Sequence, residues 1–225
     1  MGRRAPQGGS GGRGMTQKER QERSRRAILQ AALEEFGAAG LEAVTMDSIC
    51  ANHGISKGMM YHYYANKDEL FLACAADIFQ ALDGYLRREA GALAELPVIE
   101  AIKGYFLLRE SFFQSRPLEK HVFENAVLYP PKHLADRILA LRQPLREEND
   151  RFLHQLLSRM ELRPGSDQDQ AARYLNSLYT FFWRILEQYR PQGAASDLHT
   201  MLSEAETLLS MVLFGIAAPE RGADV

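Results

Sequence analysis

An all-α fold is predicted by three features of this sequence. Apolar residues recur at helical spacing from about Thr16 onward, alternating β-branched runs are absent, and capping residues stand where helical stretches should begin. With 225 residues, 46 % of them hydrophobic, the chain can bury one large core or a small domain joined to a larger one.

Residues 1–14, MGRRAPQGGSGGRG, hold six glycines, one proline and three arginines, too little apolar surface to order themselves. They read as a disordered basic segment, either an arm or a leader ahead of Met15, the leader being favoured. The first helix is expected over 17–38, with Ile28, Ala31, Ala32, Leu33 and Phe36 on its buried side and Gly40 as its stop. Thr45 caps a second helix, Asp47 complements its dipole, and Met46, Ile49 and Cys50 face inward until His53-Gly54 ends it. Gly54 supplies a left-handed turn, Ser56 caps a third, short helix, and Ile55 can staple against Met60. Asn66 with Glu69 forms an N-cap/N3 pair for a fourth helix over 67–88.

The remainder is also helical. Helices are expected over 97–114 and 117–127, then a break at Tyr129-Pro130-Pro131. A long segment over 132–161 contains Pro144, which demands a kink or a fresh start. After Arg163-Pro164-Gly165 come two final helices, over 168–190 and 196–215.

The net charge of −2 names no partner, but its distribution does. Residues 1–26 carry eight Lys/Arg against two Glu, whereas residues 71–225 carry 17 basic and 21 acidic residues. A basic front on a mildly acidic body suggests one end that meets a polyanion. Cys50 and Cys74 form no CxxC pattern, so reduced thiols and a cytoplasmic location are expected. The longest apolar run, near the end of the chain, is too short to span a bilayer, so no membrane partner is expected.

Two short helices joined by a glycine turn, 45–64, form a helix-turn-helix pattern, in which the second helix enters the DNA major groove. The stretch SKGMMYHYY suits that role. Lys57 can reach a guanine edge or a phosphate, and Gly58 leaves room for close approach. Tyrosine and histidine tips can donate to phosphates while their rings pack on sugars and thymine methyls. Lys67 adds its ammonium to the amides opening the next helix, a combined anion site. Tyrosines on a short helix are commonly core. Met60 and Tyr64 are the core pair here, and Tyr61, His62 and Tyr63 cannot all face inward with them.

From Ala27 to Leu70 the chain resembles the DNA-binding domain of the TetR family of transcriptional regulators. The resemblance is carried by Ala31-Ala32 with Phe36, by Gly40, by Thr45-Met46-Asp47-Ser48-Ile49 and by Gly54-Ile55-Ser56-Lys57-Gly58. It continues through Tyr61-His62-Tyr63-Tyr64 and Lys67-Asp68-Glu69-Leu70, about a fifth of the chain in all. It implies that Thr45, Lys57, Gly58, Tyr61, His62, Tyr63 and Lys67 lie at double-stranded DNA, with the cap Ser56 beside them. Met59 holds a variable position that tunes the operator. Tyr64 stands where phenylalanine is frequent. The division expected is a disordered leader over 1–14, a helix-turn-helix domain over 15–66, and a ligand-binding and dimerisation domain over 67–218.

For the second domain the resemblance implies a homodimer and a small-molecule effector. Independent support comes from apolar seams at steps of three and four in the last two helices, among them Leu178, Phe182, Ile185, Leu202, Leu209 and Val212, expected at the dimer interface. The same seams would also suit a protomer's own core. Tyr105, Phe106, Phe113, Phe123 and Trp183 make an aromatic-rich middle that can line an effector pocket, with Arg109 placed to meet an anionic group.

An enzyme is the rival class. The six histidines form no HxxxH or ExxH pair, and no glycine-rich phosphate loop or nucleophile elbow appears, so no catalytic residue, metal or cofactor is expected. The function expected is a ligand-responsive repressor that binds a palindromic operator as a dimer and is released by an apolar or aromatic molecule. The alternative is an activator, or a helical adaptor of the same fold without ligand-induced release.

Overall fold

A computed structural model describes residues 15–177 of the chain, and its regular elements are helices. They are α1 (Gln17–Ala43), α2 (Met46–His53), α3 (Lys57–Tyr63), α4 (Lys67–Leu93), α5 (Val98–Phe113), α6 (Pro117–Val127), a 3-10 turn (Lys132–Leu134), α7 (Ala135–Leu141), α8 (Gln143–Leu157) and α9 over 168–177.

Local chemistry accounts for most of the starts and stops. Thr16 and Glu19 exchange hydrogen bonds in a capping box that opens α1, and Thr45 with Ser48 does the same for α2. The Ser56 and Asn66 side chains accept from the amides of Met59 and Glu69, starting α3 and α4. Gly40 takes φ 77° and interrupts α1, leaving only a short turn before Val44, so the expected stop at this glycine holds. Gly54, at φ 64° and ψ 28°, makes the left-handed turn between α2 and α3.

One helix end lies later than expected: α4 runs to Leu93, because Gly91 lies inside it and nothing stronger intervenes before Pro97. Within 132–161, Pro144 sits in the first turn of α8, the fresh start expected there, where its missing N–H costs nothing. The expected N-cap/N3 pair forms between the Asn66 side chain and the amide of Glu69, while the Glu69 carboxylate accepts from Arg137 at 2.8 Å.

Helix α4 is the spine, packed against α1, α5, α6, α7 and α8. Its buried stripe includes Leu70, Phe71, Cys74, Ile78, Phe79, Leu82 and Leu86. Phe71 meets Phe36 edge-on at 5.4 Å, joining α4 to the three-helix N-terminal domain. Phe79 meets Phe123 at 5.8 Å, and Phe123 meets Phe113 at 4.9 Å, joining the spine to α5 and α6. Helix α6 lies directly on α1: a Cβ on Gly37 would stand 2.7 Å from the Leu118 Cβ, and His121 Nδ1 lies 2.6 Å from the Gly37 carbonyl.

Burial of Cys74 pushes its thiol up to about 12, and both cysteines are free and buried. Leu33, expected in the core, is only partly buried against it. Ala171 and Leu175, which precede Leu178 at helical steps of four and three and so extend its seam, are buried in this protomer's own core. Leu178, Phe182, Trp183, Ile185, Leu202, Leu209 and Val212 lie outside the described residues.

Candidate nucleic-acid interface

Helix α3 divides into a buried and an exposed face. Met60 is fully buried, and Tyr64 and Ile55 are nearly so, which anchors the helix to α1 and α2. Burial raises the Tyr64 phenol, partly offset by the nearby Arg25 guanidinium. Lys57, Gly58, Tyr61 and His62 form the outer face, Tyr61 being 52 % exposed, and the helix contains no acid. No heavy atom lies within 4 Å of where a Gly58 side chain would begin, so the surface there is open to a second molecule.

The other expected contacts fall into place less freely. Thr45 and Ser56 are exposed, but both side-chain oxygens accept backbone amides, at 3.0 and 3.2 Å. Both caps fix helix starts and leave a lone pair and the hydroxyl hydrogen over. Met59 is partly buried against the core. The Tyr63 hydroxyl donates to the Gln21 carbonyl at 3.1 Å, which spends its one donor and braces α3 against α1. Lys67 donates to the Leu41 carbonyl at 2.8 Å, where the chain leaves α1. Two of its three N–H groups remain.

Three features were not read from the sequence. Lys57 pairs with Asp47 at 2.7 Å, and that hydrogen bond raises its ammonium above the usual lysine range. Glu35 on α1 accepts from Asn52 at 2.9 Å and lies 3.0 Å from His53 Nε2, which clamps the end of α2. The Asn52 bond is the main reason its carboxyl sits below the ordinary glutamate range. Beside Tyr63, Gln17, Arg20, Gln21 and Ser24 line a polar cleft of about 470 Å³. The basic front of the sequence was the available signal for this last feature.

The residues expected to meet an effector are largely packed. Tyr105, Phe113 and Phe123 are 3 %, 1 % and 3 % exposed. Tyr105 stacks on Phe152 at 4.3 Å and donates to Asn149 at 2.7 Å. Burial pushes its phenol up to about 12. Arg109 is buried beside Tyr105, and Phe106 is half-buried. None of these five lines the clefts beside α1 and α4, and Phe113 packs on Phe123 with ring centres 4.9 Å apart. Among the described residues, no group of His, Cys, Asp and Glu could hold a metal ion, and no helix is long and apolar enough to cross a membrane.

A family model described as bacterial regulatory proteins, tetR family, matches residues 28–74, and one described as tetracyclin repressor-like, C-terminal domain, matches residues 98–216. The HTH-type transcriptional regulator BetI 1 of Chromohalobacter salexigens is 28 % identical over 77 % of this chain and 83 % of its own length. The HTH-type transcriptional regulator BetI of Rhizobium meliloti is 33 % identical over 39 % of this chain, a match that spans 41 % of that relative. Among solved structures, the transcriptional regulator FadR of Bacillus subtilis, in complex with stearoyl-CoA, superposes with a TM-score of 0.63 at 15 % identity, covering 82 % of this chain and 96 % of FadR.

Proposed function

Because this chain belongs to the TetR family and is a DNA-binding transcriptional regulator, we propose that it represses transcription as a homodimer on a pseudo-palindromic operator and is released by a small apolar or aromatic molecule. The observation that carries the DNA part is the acid-free outer face of α3, held on a buried Met60 and Tyr64 foundation. Lys57 would read a base edge or bind a phosphate, and Tyr61 and His62 would donate to phosphates and pack on sugars. Thr45, Ser56, Gly58 and Lys67 would border the backbone, while Tyr63 serves as the brace behind them.

Support for an effector is the aromatic C-terminal region, together with the shared fold of a regulator seen with stearoyl-CoA. Tyr105, Phe113 and Phe123 act as core in this reading. Phe106, Trp183 and the buried Arg109 are the proposed contacts, Arg109 facing an anionic group. The effector shifts the equilibrium only by its differential affinity for DNA-bound and free conformations.

Gel retardation with DNA from upstream of the protein's own gene tests this. Specific retardation is expected, reversed by a member of a panel of acyl-CoAs and apolar aromatics. A folded protein that retards no DNA better than an unrelated duplex would overturn the regulator reading, and retardation indifferent to the whole panel would overturn the effector.

A further inference from the structure

The recognition helix leaves the basic front of the chain unexplained. On α1 the helical repeat brings Gln17, Arg20, Gln21 and Ser24 to one face and sets the two acids of that stretch, Glu19 and Glu22, on the opposite one. Those four residues and Tyr63 line the cleft of about 470 Å³ beside α3. Both acids are engaged elsewhere: Glu19 accepts from the Thr16 amide at 2.7 Å, and Glu22 pairs with Arg26 at 2.9 Å.

Arg20 makes no ion pair or side-chain hydrogen bond among the described residues, unlike Arg26, Arg87 and Arg137, each of which holds a carboxylate. The cleft therefore collects one uncompensated guanidinium, two carboxamides and the Ser24 and Tyr63 hydroxyls, and no carboxylate. The Tyr63 hydroxyl bond to the Gln21 carbonyl fixes this face of α1 against the last turn of the recognition helix. The capping box on Thr16 keeps α1 helical through its first turn, so the side chains project from an ordered support. Thr16 takes the Glu19 amide at 3.2 Å, and the cleft itself is lined by side chains along two turns of α1.

We propose that this cleft seats a phosphate of the DNA backbone flanking the groove that α3 enters, with Arg20 as its cation and Gln17, Gln21 and Ser24 as neutral donors. The proposal rests on the DNA-binding reading above. It extends the interface from the helix-turn-helix onto α1. An arginine bound to a phosphate adds affinity that is independent of sequence and falls with salt, because one counterion is released for each phosphate neutralised.

Fluorescence anisotropy of the full chain, across a salt series, on its upstream operator duplex and on an unrelated duplex of equal length, tests the seat. Arg20→Ala should lower the slope of log affinity against log salt by about one per bound protomer, about two for the dimer, and weaken both duplexes by the same factor. Arg20→Lys, which keeps the charge, should keep the slope. Arg88→Ala, remote on α4, should change nothing, and melting temperatures should match because Arg20 is exposed. Wild-type slope and affinity in Arg20→Ala would overturn the proposal, as would a loss confined to the operator duplex, the mark of a base contact. If the wild type itself binds neither duplex, the DNA-binding reading fails and this one with it.

Discussion

In the proposed complex Lys57 would come to DNA with a partner already in hand. Its ammonium and the Asp47 carboxylate are both exposed, so water and salt weaken the pair, but the carboxylate must still be displaced before a base or phosphate takes the lysine. Asp47 thus opposes binding wherever no good replacement is offered, which penalises unrelated DNA more than a matched operator. Asp47→Asn should raise affinity for unrelated duplex by roughly two- to fivefold and narrow the gap to the operator. Anisotropy on both duplexes measures this, and an unchanged affinity ratio would show that the pair has no part in discrimination. The pair was not legible in the sequence: Asp47 read as a dipole partner of α2 and Lys57 as a free hand. Asp47 does stand in the first turn of α2, but Lys57 is not free. Only the turn at Gly54 brings the two side chains together.

Among elements, the contact between α1 and α6 depends on the absence of a single carbon. A Cβ on Gly37 would come within 2.7 Å of the Leu118 Cβ, 2.9 Å of its Cα and 3.0 Å of its carbonyl oxygen. Backbone cannot yield as a side-chain tip can, so Gly37→Ala must push α6 off α1 or bend one of them. A cost of about 1–3 kcal/mol is expected, despite alanine's better helix propensity. Urea denaturation measures it, and a variant as stable as wild type would mean that the two helices do not approach so closely. The α4 start is tied down too: Asp68 lies 3.1 Å from His133, and Glu69 accepts from Arg137, so the 3-10 turn and α7 hold the helix that follows the recognition helix. The helix ends were read best where a cap or proline marks them, as at Pro117 and Ser56. The α4 end was read too early because it lacks both marks.

For the whole molecule, the proposed dimer makes a geometric demand on DNA. Two recognition helices related by a two-fold axis must meet successive major grooves, roughly 34–36 Å apart. Inserting about five base pairs between operator half-sites turns one groove to the opposite side of the duplex and should abolish cooperative binding. Inserting about ten should do less harm. Footprinting on the spacer series reads the result, and equal protection at every spacing would exclude a rigid two-fold dimer. Ala171 and Leu175 belong to the protomer core, so a seam at helical spacing does not distinguish an interface from an interior.

Caps, stops and buried stripes are settled by residues within about four positions of one another, because helical hydrogen bonds and capping reach no further. The all-helical class, the Gly40 and Gly54 breaks, and the Met60 and Tyr64 anchor of α3 were therefore determined by the sequence itself. Tertiary structure alone decided that Tyr63 gives its hydroxyl to Gln21, 42 residues away, and that His121 meets Gly37, 84 residues away. It also decided that Tyr105, Phe113 and Phe123 are core. An aromatic ring carries the same periodicity whether it lines a cavity or fills one. Which of the two it does depends on the neighbouring helix brought against it, and that neighbour is remote in sequence.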